Sequence, residues 1–251
     1  MKSAKDHFSK QSNAYKKYRP TYPEALYQEL LKWTGQRDSC WDCGTGNGQV
    51  ALALSPYFQS VYATDISQKQ IQNAGKRANV IFSVGRAEKT GFEDNRFDLI
   101  TVAQAIHWFD LKAFQKEVRR VSKNGGILAF WGYGLLRVSP AIDGLLDEFY
   151  VNRIGPYWDT ERRHIDAAYQ TIELDLKQIP IRNDFALTVS WSLERLQGYL
   201  NTWSSVQNYK SVHNGENPVE ELMVKLNRIW PKTQVKTVKF PVFMQARRLE
   251  K

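Results

Sequence analysis

Cys40-Trp41-Asp42-Cys43-Gly44-Thr45-Gly46-Asn47-Gly48 is the stretch on which the fold of this chain turns. An acidic residue is followed by glycines at 44, 46 and 48, and a helical run then begins at Gln49-Val50-Ala51-Leu52-Ala53-Leu54. Ser39–Asp42 reads as a short strand leading into the glycines. Roughly 20 residues past the first glycine, Val61-Tyr62-Ala63-Thr64-Asp65 reads as a second strand ending in a carboxylate. Glycines let a backbone turn tightly and approach a ligand closely. A carboxylate at the end of the second strand is placed to accept hydrogen bonds from ribose hydroxyls. The combination reads as a nucleoside-containing cofactor resting on a strand–turn–helix.

The alternation continues on both sides. Ser60–Thr64 is the second strand, and Ser67–Ala78 a helix with Ser67 as N-cap. Val80–Val84 and Phe97–Val102 follow as strands, the latter an apolar run broken only by Asp98 and Thr101. Leu111, Phe114, Val118 and Val121 recur at helical spacing, and Asn124-Gly125-Gly126 turns the chain into a fifth strand, Ile127–Trp131. This βαβαβ order predicts a parallel sheet with helices on both faces. In the second half, Pro140–Tyr169 reads as mostly helical and Phe185–Trp191 as a strand. Leu193–Leu200 and Pro218–Trp230 read as helices. Val235–Ala246 reads as a long closing strand, where Pro241 predicts an edge or a bulge. No linker rich in Pro, Gly or Ser separates the halves, so a single domain with a helical insertion is expected.

Two cofactor classes fit the glycine turn. Gly46-Asn47-Gly48-Gln49-Val50-Ala51 matches the dinucleotide fingerprint G-x-G-x-x-A. Asp42, however, stands two residues before the first glycine, where a carboxylate would repel a pyrophosphate and attract a cationic group. Gly85-Arg86-Ala87-Glu88 follows the third strand, where a backbone amide and a short polar side chain could read an adenine edge.

These residues together resemble the motifs of the class I S-adenosylmethionine-dependent methyltransferases. Asp42-Cys43-Gly44-Thr45-Gly46-Asn47-Gly48 resembles that family's first motif, D-x-G-x-G-x-G. Thr64-Asp65-Ile66-Ser67 resembles its ribose-binding motif, and Ala87-Glu88 its adenine-side motif. Phe97-Asp98-Leu99-Ile100 with Ala103-Gln104-Ala105 resembles the fourth-strand motif. Lys123-Asn124-Gly125-Gly126 resembles the fifth-strand turn, with Asn124 where proline is commoner. Tyr15 to Pro23, Ala105-Ile106-His107-Trp108-Phe109-Asp110 and Thr202-Trp203-Ser204-Ser205 resemble the small-molecule subgroup (methyltransferase type 11) typified by trans-aconitate methyltransferase-like proteins.

The resemblance implies an α/β, Rossmann-like fold. Its sheet would have seven mostly parallel strands with one antiparallel, helices on both faces and a helical insertion in the C-terminal half. It implies one domain over 1–251: an N-terminal helical arm (1–35), a cofactor-binding core (36–135), a helical insertion (136–183), and C-terminal strands with substrate-side helices (184–251). The implied cofactor is S-adenosylmethionine, leaving as S-adenosylhomocysteine, with no metal. Gly44, Thr45 and Gly46 would pass close to its methionine tail and Asp42 would sit near the tail's ammonium. Asp65 would take the ribose hydroxyls and Ile66 would pack on adenine. Ala87 and Glu88 would lie at the adenine edge, and Gln104 and Ala105 near the methionine part. His107, with a free pKa of about 6.5, is the candidate general base for an acceptor that must lose a proton. Tyr15, Tyr18 and Arg19 would form a closing arm, and Trp108 and Trp203, with Tyr157 and Trp158, would wall the acceptor.

Composition narrows the partners. The chain has 251 residues, an ordinary apolar fraction of 42% and a net charge of +9. No apolar run approaches the roughly 20 residues of a membrane span, and no signal-peptide core follows Met1, so a cytoplasmic location is the expectation. Basic residues crowd the N-terminal arm and the C-terminal end, which would suit a nucleic acid, an anionic small substrate or a solvated surface. They are interleaved with core-type residues, and Ala103-Gln104-Ala105-Ile106 replaces the Asn/Asp-Pro-Pro-aromatic motif of base-amine methyltransferases. The expected activity is therefore methyl transfer to a small-molecule oxygen, carboxylate or hydroxyl. An RNA or tRNA methyltransferase and a non-catalytic cofactor-binding protein are the alternatives. Cys40 and Cys43 form a lone C-x-x-C, read as small residues in a tight turn. The sequence allows a monomer or a homodimer.

Overall fold

Five consecutive residues of β1 (Ser39–Cys43) are buried, as a central strand covered on both faces requires. The computed structural model describes residues 20–251. Period-2 alternation sends Cys40 into the core on one face of the sheet and Trp41 and Cys43 into the core on the other. The two cysteines are thus free, buried and on opposite faces, and burial pushes both thiols up.

β1 lies between β2 (Ser60–Asp65) and β4 (Phe97–Ala103), both parallel to it. β3 (Val80–Val84) flanks β2, and β5 (Ser122–Tyr133) flanks β4, again in parallel. β8 (Val235–Arg248) runs antiparallel between β5 and the short β6 (Lys177–Ile179). The order β3-β2-β1-β4-β5-β8-β6 is the expected seven-stranded sheet with one antiparallel member. An eighth strand, β7 (Ala186–Ser192), pairs with the first half of β8. The order reverses between β1 and β4, and the crevice above such a reversal is where doubly wound sheets bind ligands.

Two polar residues inside the apolar run of β4 are accounted for by their bonds. Asp98 Oδ2 accepts the backbone N–H groups of Asp38 and Ser39 at 3.0 Å each, and its other oxygen meets Lys123 Nζ at 2.8 Å. Thr101 Oγ1 donates to Asp42 Oδ1 at 2.8 Å.

Helices cover both faces. On one side are α1 (Glu24–Trp33) and α2 (Gln49–Leu54), with residues of α5 (Pro140–Glu148), α7 (Leu193–Leu200), α8 (Ser204–Val212) and α9 (Val219–Asn227) joining the same core. On the other, α4 (Leu111–Val121) buries Phe114, Val118 and Val121, and Asp110 caps it by accepting Ala113 N–H at 3.2 Å. Each of those side chains is worth about 1.5–3 kcal/mol of burial.

Two expectations are corrected. The helix after β2 is only α3 (Gln68–Gln72), capped by Ser67 as expected; it stops before Gly75, where a Cβ would lie 2.6 Å from Leu52 Cδ1. Pro241 marks neither an edge nor a bulge. It stands where β8 hands over from β7 to β5, and its carbonyl accepts Gly134 N–H at 2.9 Å. The stretch from Pro140 to Tyr169 is mostly helical, as expected, and is divided into α5, a π turn (Phe149–Arg153), a 3₁₀ turn (Gly155–Tyr157) and α6 (Arg162–Asp166).

Candidate active site

The glycine turn leaves β1 with three left-handed residues, Gly44 (φ +69°), Gly46 (φ +56°) and Gly48 (φ +85°). A Cβ on Gly44 would lie 2.6 Å from Ala105 Cβ, so the turn packs directly on the loop after β4. At Gly46 nothing lies within 4 Å of that position, and the backbone faces open space. Asp42 holds the turn from beneath. Its Oδ2 accepts Thr45 Oγ1 at 2.5 Å and Ala51 N–H at 3.1 Å, while Oδ1 accepts Thr101. Burial pushes this carboxyl up to about 6 against the pull of those donors. Three of about four lone-pair sites are filled, which leaves one for a ligand.

Asp65, at the end of β2, accepts Gly46 N–H and Ser67 N–H at 2.8 Å each and so ties the turn to the second strand. With Gly44, Gly46 and Ile66 it lines a cleft of about 130 Å³. Ala87, Glu88, Gln104 and Ala105 line the same cleft. Glu88 is steadied by Asp110 N–H at 3.2 Å and by Arg86 at 3.3 Å. A second cavity, which shares Gly44, Gly46 and Gln104 with the cleft, is also lined by Asp42, Thr45, Tyr22, Gln49 and Tyr133. A third is lined by Gln104, His107, Trp108, Trp158, Arg162 and Trp203, among others.

Gln104 lines all three cavities. It is held with φ +55°, an uncommon conformation for a non-glycine residue that tends to mark functional sites. Its N–H donates to Trp131 O at 2.8 Å and its Nε2 to Tyr133 O at 3.3 Å, which together fix it at the junction.

His107 is buried, and its Nδ1 lies 2.9 Å from Tyr169 Oη. Desolvation first, and then the charges of Arg162 and His164, push its pKa down to about 3, so the imidazole is neutral and a weak base. Trp108 is half-buried between the cleft and the third cavity, and Trp203 is buried at the latter. Tyr157 does not line that cavity; its hydroxyl meets His213 Nε2 at 2.7 Å. Tyr15, Tyr18 and Arg19 lie outside the described residues.

Gln70, Phe109, Arg162 and Tyr169 were not legible as site residues. Gln70 and Phe109 complete the cleft, and the Gln70 Oε1 is a buried acceptor that no described donor satisfies. Gln70 sits three residues after the Ser67 cap, one turn above the carboxylate; that spacing is the signal that could have found it. Tyr169, at φ +59°, reaches His107 across 62 residues, and nothing local announces it.

The apolar walls, the open glycine turn, the carboxylate at the end of β2 and the unsatisfied Gln70 oxygen fit an adenosine with an aminoacyl tail. A family model described as a methyltransferase domain matches residues 41–130. A protein of Dictyostelium discoideum named as a methyltransferase is 34% identical over 247 residues, which is 95% of this chain and 93% of its own length. The structure of a type II methyltransferase from Anaeromyxobacter dehalogenans matches with a TM-score of 0.85 at 33% identity, covering 93% of this chain and 99% of the other. A phosphoethanolamine N-methyltransferase 2 of Haemonchus contortus was solved with S-adenosylhomocysteine and phosphomonomethylethanolamine. It matches with a TM-score of 0.50 at 16% identity, over 98% of this chain and 58% of its own, a likeness of fold alone. The chain belongs to this methyltransferase-domain family and is an S-adenosylmethionine-dependent methyltransferase of class I. Among the described residues, no helix is long and apolar enough to cross a membrane, and no group of three or more His, Cys, Asp or Glu could hold a metal ion.

Proposed function

We propose that the enzyme methylates an oxygen of a small-molecule acceptor, and that this oxygen is already ionised, a carboxylate being the simplest case. The observation that carries this reading is the position of Gln104, which lines both the cofactor cleft and the cavity of Trp108, Trp158 and Trp203. In this reading the adenosine lies between Ile66, Ala87 and Phe109, with Asp65 accepting from the ribose and Gln70 accepting from a cofactor donor. The tail runs past Gly44 and Gly46 toward Asp42. S-adenosylmethionine, when bound, supplies a methyl group on a positively charged sulfur. The protein's own part is to orient the acceptor and exclude water.

The state of His107 favours an ionised oxygen. An imidazole held near 3 takes a proton poorly at neutral pH, and efficient general bases titrate near the working pH. A carboxylate needs no proton removed. For the nucleic-acid alternative, several cations at the C-terminal end are already committed. Lys225 pairs with Glu221 at 3.1 Å, Arg247 is buried over the Phe130 ring, and Lys251 is bonded to Asn95.

Transfer of labelled methyl groups to a panel of acidic and phenolic metabolites tests the proposal. Uptake by carboxylates as an alkali-labile ester is the expected result. Uptake confined to amines or carbon would sink it, and a salt-sensitive shift of tRNA would favour the nucleic-acid reading instead.

A further inference from the structure

Arg162 opens α6 and reaches the third cavity with its guanidinium already immobilised. Its Nε donates to Tyr150 Oη at 2.7 Å and approaches Asp166 Oδ1 at 3.4 Å. Tyr150 in turn donates to the same Asp166 oxygen at 2.6 Å. The guanidinium carbon lies 4.5 Å from the Trp158 ring centroid and 5.3 Å from that of Tyr150. Tyr150 belongs to the π turn, an irregularity that often accompanies function. Every recorded hydrogen bond of this side chain is made by Nε, so among the described residues the two terminal nitrogens have no partner. A guanidinium stacked on an indole, clamped at one end and offering a planar pair of donors at the other, is suited to an oxyanion.

The walls restrict the rest of the ligand. Trp108, Trp158 and Trp203 line the cavity, and the Trp158 and Trp203 ring centroids are 5.5 Å apart. Indole faces and edges favour a flat, polarisable body. Among the described residues, the titratable groups facing the cavity are Arg162, Asp159 and His107. Asp159 brings a negative charge that opposes a second anionic group, and the neutral His107 offers no cation to receive one.

We infer that this cavity takes a monoanion with a flat, unsaturated body, its oxyanion held by the terminal nitrogens of Arg162 and its body flanked by the indoles. Tyr150 and Asp166 are positioning residues that act through Arg162. The inference rests on reading this cavity as the acceptor side, and it adds the class of acceptor and the residue that selects it.

Calorimetric titrations of the full chain saturated with S-adenosylhomocysteine test it. The probes are benzoate, neutral benzamide, dianionic phthalate and non-planar cyclohexanecarboxylate. Benzoate should bind tighter than phthalate and cyclohexanecarboxylate, and about tenfold or more tighter than neutral benzamide, as a charge-assisted bidentate contact allows. Arg162→Gln should remove that advantage while leaving benzamide and S-adenosylhomocysteine affinities unchanged, and Arg162→Lys should restore part of it. Should Arg162→Gln fail to bind S-adenosylhomocysteine, Tyr150→Phe carries the test, with a smaller loss for benzoate only. Benzoate binding no tighter than benzamide, or equally tight in both Arg162→Gln and Tyr150→Phe, overturns the inference. Cyclohexanecarboxylate binding as tightly as benzoate overturns the flat body. Methyl uptake measured alongside separates the two readings. Binding through Arg162 without methylation of any oxygen defeats the proposed reaction and leaves the anion site standing. Methylation of carboxylate acceptors that is indifferent to Arg162→Gln does the reverse.

Discussion

Alanine at Gly44 and alanine at Gly46 should have different consequences, although the two glycines are two residues apart and both have positive φ. The left-handed conformation costs an alanine about 1–2 kcal/mol at either position. At Gly44 the new methyl would also lie 2.6 Å from Ala105 Cβ and 3.3 Å from Phe109 Cζ, well inside the ~3.5–4.0 Å of a relaxed carbon contact. Overpacking of this kind adds about 1–3 kcal/mol, so Gly44→Ala should lose about 2–5 kcal/mol of stability. At Gly46 the methyl meets nothing within 4 Å, and only the backbone cost remains. That methyl would, however, project into the space assigned to the cofactor. Gly46→Ala should therefore lose about 1–2 kcal/mol of stability but weaken S-adenosylhomocysteine by at least about tenfold, comparable to one lost hydrogen bond plus the steric displacement. Urea denaturation of the ligand-free proteins and calorimetry with S-adenosylhomocysteine measure the two quantities separately. Equal destabilisation of both variants, or wild-type affinity in Gly46→Ala, would refute the reasoning.

Three further outcomes are expected. Asp65→Ala should weaken S-adenosylhomocysteine by about tenfold to a hundredfold, since hydrogen bonds to a charged group are worth about 1.5–3 kcal/mol; calorimetric affinity within twofold of wild type would count against the ribose assignment. Asp98→Ala leaves the Asp38 and Ser39 amides and Lys123 without their carboxylate, and about 3 kcal/mol or more should disappear from the urea-derived stability. The third outcome concerns pH. His107 is depressed to about 3, so its contribution is complete above the unfolded value of about 6.5 and is lost as pH falls toward 3, with about 2 kcal/mol gone at pH 5. Asp42, raised to about 6, runs the other way: its contribution is complete below about 4 and is lost as pH rises through 6, so moving from pH 7 to pH 5 restores about 1 kcal/mol. Between pH 7 and pH 5, wild type should lose about 2 kcal/mol relative to His107→Gln in urea titrations, and parallel pH profiles would show that the imidazole is not held neutral.

The first half of the chain was legible because its signals are local. The Asp42–Gly48 turn, the strand ending in Asp65, the Ser67 cap and the helical spacing of Phe114, Val118 and Val121 each lie within a few residues of sequence, and the structure follows them. The length of α3 was misjudged because helical pattern does not report the close approach of Gly75 to Leu52. Pro241 was misjudged because a proline limits only its own missing N–H, and it sits where the ladder changes partners. The short β6 left no pattern at all in three residues.

By itself, then, the sequence determined the cofactor class and the alternation of strands and helices in the first half, since backbone conformation at glycines and the period of apolar residues are properties of neighbouring positions. Only the tertiary structure decided what surrounds each charge. It commits Asp42 to Thr45, Thr101 and the Ala51 amide, holds His107 neutral against Tyr169, and lays Arg162 on Trp158 beneath the Tyr150 hydroxyl. Those environments set pKa, donor availability and shape, and they arise from contacts between residues far apart in the chain.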